Sequence, residues 1–75
     1  MDATTNQVHA SMIVTLPDKS SQRIRKSTCS VSEILHRFEI NPLEVIVSVN
    51  GKVVPEDALV TAGDRIRIIP IAHGG

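Results

Sequence analysis

Apolar and polar positions along the chain change period several times, and each change marks a predicted element. The run MIVTL, which begins at Met12, is apolar and rich in β-branched residues, PDKSS supplies a turn, and QRIRK alternates polar and apolar residues. This order predicts two strands joined by a hairpin. VIVSVNGKVV predicts a second hairpin, because Asn50-Gly51 tolerates the positive φ angles of a two-residue turn. After the polar connection PEDALVTAGD, the run RIRIIPI predicts the last strand.

A helical period lies between the two hairpins. Ser30 is followed three residues later by Glu33, which is the spacing of a capping box. Apolar residues then recur at helical intervals until Asn41-Pro42, which we expect to stop a helix of roughly two to three turns. These apolar positions are Val31, Ile34, Leu35 and Phe38. A helix that follows a hairpin must cover the apolar face of the sheet, so we predict an α+β fold in which one mixed sheet of four to five strands packs on one helix.

Composition excludes several classes of function but says less about the fold. The 75 residues are enough for one domain, and 41% are hydrophobic although Phe38 is the only aromatic residue. Eight basic residues balance eight acidic ones, and no Tyr or Trp is present to stack on bases. Nucleic acid is therefore not an expected partner. Because Cys29 is the only cysteine, neither an intrachain disulfide nor a thiolate metal site can form.

Residues 1–11 are polar, small and without period, and we expect them to form a mobile extension before a domain at residues 12–71. They lack the basic and apolar regions of a signal peptide. No run in the sequence approaches the roughly 20 apolar residues of a membrane-spanning helix. We therefore expect a cytoplasmic protein that is a monomer when free and does not contact a membrane.

The sequence resembles the small ubiquitin-like sulfur carriers of the ThiS/MoaD type. The resemblance rests on the element order, the length, VNGKVV, AGDRIRII and the final Gly74-Gly75, and it covers about residues 12–75. The family includes the thiamine-pathway carrier, the small subunit of molybdopterin synthase and the archaeal small modifier proteins. It implies a ubiquitin-like β-grasp fold, and a flexible tail formed by Ala72, His73, Gly74 and Gly75.

The resemblance also implies a chemistry for the tail. An ATP-dependent adenylyltransferase related to ubiquitin-activating enzymes would adenylate the carboxylate of Gly75, and a persulfide would convert the adenylate to a thiocarboxylate. The sulfur would then serve a cofactor pathway, for thiamine or molybdopterin, or tRNA thiolation. The chain would be a carrier rather than an enzyme, with ATP used by the partner and no cofactor or metal of its own. Glycine suits this role because, without a Cβ, the chain can lie close to a nucleotide in a partner's channel.

Two other functions fit the same sequence. In the first, a lysine of a target protein takes the activated acyl group, and the chain is a protein modifier. In the second, the chain is a non-catalytic β-grasp interaction module whose glycine tail is inert. An enzyme is disfavoured, because the sequence offers no pair of catalytic carboxylates, no nucleophile with a base and no phosphate-binding glycine loop.

Alternation along the last strand predicts a binding surface. If Ile66 and Ile68 face the helix, then Ile69 and Ile71 lie on the open face of the sheet. The same alternation places Ile46 on the open face. An exposed apolar cluster with a polar rim is typical of protein contacts, so we predict a docking surface for the activating enzyme. Its predicted members are Ile46, Arg65, Arg67, Ile69 and Ile71. Scattered surface isoleucines are the alternative interpretation. Cys29, just before the helix, is predicted to be a small semi-buried hydrophobe rather than a sulfur-handling thiol.

Overall fold

The structure is a computed structural model that describes residues 11–71. Seven strands, one α-helix and one 3₁₀ turn follow one another in this range. In chain order they are β1 (Met12–Thr15), β2 (Ser21–Ile24), β3 (Thr28–Ser30), α1 (Val31–Arg37), the 3₁₀ turn (Pro42–Glu44), β4 (Val45–Val49), β5 (Lys52–Val54), β6 (Leu59–Thr61) and β7 (Arg65–Pro70). The predicted order of two strands, a helix and three further strands is retained, with β3 and β6 in addition.

Five of the strands form one mixed sheet in the order β2-β1-β7-β4-β5. The last strand, β7, lies in the centre, parallel to β1 on one side and antiparallel to β4 on the other. β1 pairs with β2, and β4 pairs with β5, as the two predicted hairpins. The prediction of a mixed sheet with four to five strands is therefore confirmed, and the sheet has five strands.

The turns of the two hairpins use left-handed backbone conformations. In the second hairpin Asn50 has φ of 52° and Gly51 has φ of 89°, as the predicted Asn-Gly turn requires. In the first, Lys19 has φ of 74°, and the Asp18 carboxylate accepts hydrogen bonds from the Ser20 N–H at 2.9 Å and the Ser20 hydroxyl at 2.6 Å. These local bonds fix the return of the chain into β2.

Helix α1 begins as predicted and ends earlier. The Ser30 hydroxyl accepts from the Glu33 N–H at 3.1 Å, and the Glu33 carboxylate accepts from the Ser30 N–H at 3.0 Å, which completes the capping box. The last helical residue is Arg37, so the expected stop at Asn41-Pro42 was wrong. Glu39 has φ of 56° and lies in the left-handed region. Its N–H and that of Ile40 donate to the helical carbonyls of His36 and Leu35, the Schellman pattern that closes a helix, here with glutamate in place of the usual glycine.

A two-stranded ribbon, β3 with β6, was not predicted. Cys29 pairs with Val60 in its centre, and both side chains are buried. The ribbon also holds the start of the helix, because the Val31 N–H donates to the Ala58 carbonyl at 2.9 Å. The segment expected to be only a polar connection therefore contributes to the core.

The hydrophobic core lies between the large sheet, the helix and this ribbon. Every element except the 3₁₀ turn and β5 supplies at least one buried apolar side chain. They are Met12, Val14, Ile24, Cys29, Val31, Ile34, Leu35, Val47, Val60, Ile66 and Ile68. Within residues 11–71 only one face of the sheet is covered, and one helix on a mixed five-stranded sheet is the predicted ubiquitin-like β-grasp. In residues 11–71 no helix combines the length and apolar character needed to cross a membrane.

Candidate functional site

The predicted tail, Ala72, His73, Gly74 and Gly75, lies outside the described residues, as does the predicted N-terminal extension except Ser11. The described strand that leads to the tail is β7, which ends at Pro70. Backbone bonds to both neighbouring strands hold it in the centre of the sheet, and the Ile71 N–H donates to the Glu44 carbonyl at 3.0 Å. The chain is thus anchored up to the residue that precedes the tail.

The two faces of β7 differ as predicted. Ile66 and Ile68 are 1% and 2% exposed and point to the helix, whereas Ile69 and Ile71 are each 38% exposed. Because the pleat alternates, Arg65 and Arg67 lie on the same open face as Ile69.

The predicted apolar members come together at the end of the sheet where β7 finishes. Ile46 is 41% exposed and is the direct cross-strand partner of Ile69. Directly opposed residues in antiparallel strands have Cβ atoms about 4.5–5.5 Å apart, so these two side chains are neighbours. With Ile71, one residue beyond the strand, they form what we call the tail-side patch: Ile46, Ile69 and Ile71. That a partner binds there stays a prediction.

The predicted arginines lie at the other end of β7. Arg67 is flanked on one side by Ser48 of β4 and on the other by Thr15 of β1, and Arg65 is flanked by Ile13. Two further members of this face, Ile13 and Arg23, were not predicted; they oppose each other across β1 and β2. The alternation of QRIRK and MIVTL could have placed both residues, had the register of the first hairpin been known.

Ser48 is buried although it lies on the open face of the sheet. It shares the open face with Ile46, yet it is only 8% exposed. Its partners in the flanking strands are Arg67 and Val53, whose longer side chains shield the small hydroxymethyl group. No other layer of the described residues covers this face, so the burial of Ser48 is a local effect of side-chain size, which strand periodicity does not report.

A polar cluster fixes the point where β7 begins. The Asp64 carboxylate accepts from the Thr61 N–H at 2.8 Å and from Asn50 Nδ2 at 3.0 Å. The Asn50 side-chain oxygen accepts from the Arg65 N–H at 3.0 Å. Hydrogen bonding from Thr61, and then from Asn50, holds the pKa of the Asp64 carboxyl below its usual range. The second hairpin and the last strand are thereby joined by side chains as well as by the sheet.

Cys29 is further inside the protein than the semi-buried position predicted. It is 4% exposed, and its thiol is 3.9 Å from the Met12 sulfur. Burial, reinforced by the nearby Glu33 carboxylate, raises the pKa of the Cys29 thiol. A protonated, enclosed thiol is a poor nucleophile. Within residues 11–71 no group of three or more His, Cys, Asp or Glu side chains is placed to hold a metal ion.

The strand order and the single helix place the protein in a fold class, and a solved structure supports this assignment. A structure of a computationally designed protein based on the template of human erythrocytic ubiquitin has a TM-score of 0.62 at 22% identity, over 88% of this chain and 96% of that one. This likeness supports the fold, a ubiquitin-like β-grasp.

Sequence and structure together then identify the family. The ThiS family matches residues 13–75, and the chain belongs to it. The crystal structure of a thiamine biosynthesis protein, ThiS, from Geobacter metallireducens has a TM-score of 0.62 at 26% identity, over 85% of this chain and all of that one. The solution structure of the same thiamine biosynthesis protein has a TM-score of 0.56 at 28% identity, over 85% of this chain and 88% of that one. The predicted resemblance to the ubiquitin-like sulfur carriers is confirmed.

Proposed function

We propose that this protein is a sulfur carrier whose Gly75 carboxylate is activated by a separate ATP-using enzyme and then converted to a thiocarboxylate. Membership of the ThiS family, with a match that extends through Gly75, is the observation that carries the proposal. The likeness to two structures of one thiamine biosynthesis protein favours thiamine as the pathway that receives the sulfur.

The chemistry explains why a partner is needed. A carboxylate is a poor electrophile, so its oxygen first attacks the α-phosphorus of ATP, pyrophosphate leaves and an acyl-adenylate forms. The outer sulfur of a persulfide then attacks the acyl carbon and AMP leaves. A thiol cleaves the resulting sulfur–sulfur bond and supplies the two electrons, which releases the thiocarboxylate and leaves a disulfide on the donor side. All of these reagents come from partner proteins, and the carrier supplies only the acyl group.

The described part of the chain suits presentation of that group. β7 is paired with β1 over residues 65–67 and with β4 as far as Pro70, so pulling on the residues that follow does not detach an edge strand. Four extended residues beyond Ile71 can reach at most about 13 Å, enough to enter a channel in another protein. The tail-side patch lies at the same end of the sheet, where a partner that holds the tail would also meet apolar surface.

Deletion of Gly75 tests the proposal. Adenylation is followed as ATP–pyrophosphate exchange catalysed by the activating enzyme of the same organism. We expect exchange with the full chain, none with the chain that lacks Gly75, and the same thermal midpoint for both. Equal exchange by the shortened chain would refute the assignment of Gly75. Isopeptide-linked conjugates of target proteins, without any thiocarboxylate, would instead identify a protein modifier.

A further inference from the structure

A hollow of about 420 Å³ lies on the open face, towards the end of the sheet where β7 begins. It is lined by residues from three strands and from the second hairpin turn, among them Thr15, Ser48, Asn50, Gly51, Arg65 and Arg67. Arg67 precedes Ile71 by four residues, which is about 13 Å along a strand. The hollow is therefore separate from the tail-side patch but lies on the same face.

Both charged residues that line the hollow, Arg65 and Arg67, are basic. The five strands of the large sheet contain no Asp or Glu, and their arginines, Arg23, Arg65 and Arg67, all lie on the open face. None of these guanidinium groups has an ion-pair or hydrogen-bond partner in the described part of the chain. The nearest carboxylate along β7, Asp64, is engaged by Thr61 and Asn50. This end of the face is thus positively charged although the chain as a whole is neutral.

The lining of the hollow also includes a hydroxyl group. Ser48 is 8% exposed, lines the hollow and is the cross-strand partner of Arg67. Its hydroxyl can donate a hydrogen bond to an anionic group that enters the hollow. Beside it lies the Arg67 guanidinium, which can donate two parallel hydrogen bonds to a carboxylate.

We propose that this hollow receives a carboxylate side chain from an acidic segment of the activating enzyme, with Arg67, Arg65 and Ser48 as donors. The proposal rests on the proposed function and identifies a second contact on the partner's surface. The enzyme would meet the open face at two places, apolar at the tail-side patch and acidic at the hollow. A separation of about 13 Å fits within one interface of ordinary size, about 800 Å² per partner. Charge complementarity at the hollow would fix the orientation of the carrier while the tail enters the active site.

Charge reversal tests the proposal in the exchange assay. We expect Arg67→Glu to raise the KM for the carrier about tenfold or more at low salt with kcat little changed, because a rim or partly buried charge governs association rather than chemistry. Arg65→Glu should act in the same direction. Arg37→Glu is the matched control, since Arg37 is an exposed arginine on the helix and remote from the open face. Its KM should stay within about twofold of the wild-type value.

Two further experiments test whether the contact is electrostatic: a change of ionic strength and an exchange of charges between carrier and enzyme. Higher ionic strength should raise the wild-type KM towards that of Arg67→Glu, because the attraction is screened. Replacing the enzyme's contacting Asp or Glu with Arg should restore activity to Arg67→Glu. Circular dichroism checks the fold. If the glutamate variant is unfolded, Arg67→Ala replaces it, with a smaller expected increase in KM.

Every other outcome overturns the proposal in an identifiable way. Exchange by the wild type with an unchanged KM for Arg67→Glu would remove the acidic contact and leave the proposed function intact. If the wild type shows no exchange, both the acidic contact and the proposed function are overturned. Saturable binding of inorganic phosphate at Arg67, seen by NMR titration, with an unchanged KM would indicate a small-anion site. Sedimentation that shows self-association lost in Arg67→Glu would identify a second copy of the chain as the occupant.

Discussion

The side-chain link between the second hairpin and β7 makes a quantitative prediction, which Asp64→Ala tests. The substitution removes two acceptor contacts, to the Thr61 N–H at 2.8 Å and to Asn50 Nδ2 at 3.0 Å. A hydrogen bond to a charged group contributes about 1.5–3 kcal/mol when buried, but this site is partly exposed and water can replace the acceptor. We therefore expect a loss of about 1–2 kcal/mol in the free energy of unfolding at pH 7, or about 4–16 °C in the thermal midpoint of a domain of this size.

The pH dependence separates this effect from a general weakening. The folded-state pKa of Asp64 is lowered, so its contribution is complete above the unfolded-state pKa and is lost as pH falls through the folded-state value. The difference between wild type and Asp64→Ala should accordingly shrink in acid. Because the chain has no Trp or Tyr, urea unfolding is followed by circular dichroism. Asp57→Ala is the control, since Asp57 is exposed and accepts no hydrogen bond within residues 11–71. The reasoning would be refuted if Asp64→Ala lost no more unfolding free energy than Asp57→Ala, or if its loss stayed the same down to pH 2.

Three further substitutions test separate features. Cys29→Ser should lower the free energy of unfolding by about 1–2 kcal/mol, because it puts a hydroxyl into an apolar site. It should leave ATP–pyrophosphate exchange by the activating enzyme intact. Loss of exchange with the fold retained would show that the thiol takes part. Glu39→Gly should raise stability by about 0.5–1 kcal/mol, because glycine adopts φ of 56° without strain, and an unchanged urea midpoint would contradict this. Gly51→Ala should cost about 1–2 kcal/mol through its φ of 89° alone, since an added Cβ meets no atom within 4 Å; a neutral result would mean that the turn relaxes.

The features that could be predicted from the sequence have local causes. Asn50-Gly51 signals its turn through backbone preference, and Ser30 with Glu33 signals the helix start through two reciprocal hydrogen bonds. The two faces of β7 follow from strand alternation, which correctly separated Ile66 from Ile69. Each of these patterns depends on residues within a few positions of one another.

The features that were missed depend on contacts between distant parts of the chain. β3 and β6 are three residues each, too short for a periodic signal, and they exist because Cys29 and Val60 pair across 31 residues of sequence. The helix ends at Arg37 because Glu39 accepts a left-handed conformation, which no residue preference would suggest. The hollow at Ser48 requires β1, β4 and β7 to be placed side by side, and the sequence alone gives no register for them.

Intact-mass analysis of the protein isolated from its native cell tests the central proposal most directly. We expect a fraction of the molecules to be heavier by the exchange of one oxygen for sulfur, and we expect fragmentation to place this change at Gly75. Fragmentation is needed because oxidation of a methionine adds nearly the same mass. Conjugates that leave residues 68–75 on target lysines after trypsin, with Gly75 never carrying sulfur, would contradict the carrier and indicate a modifier.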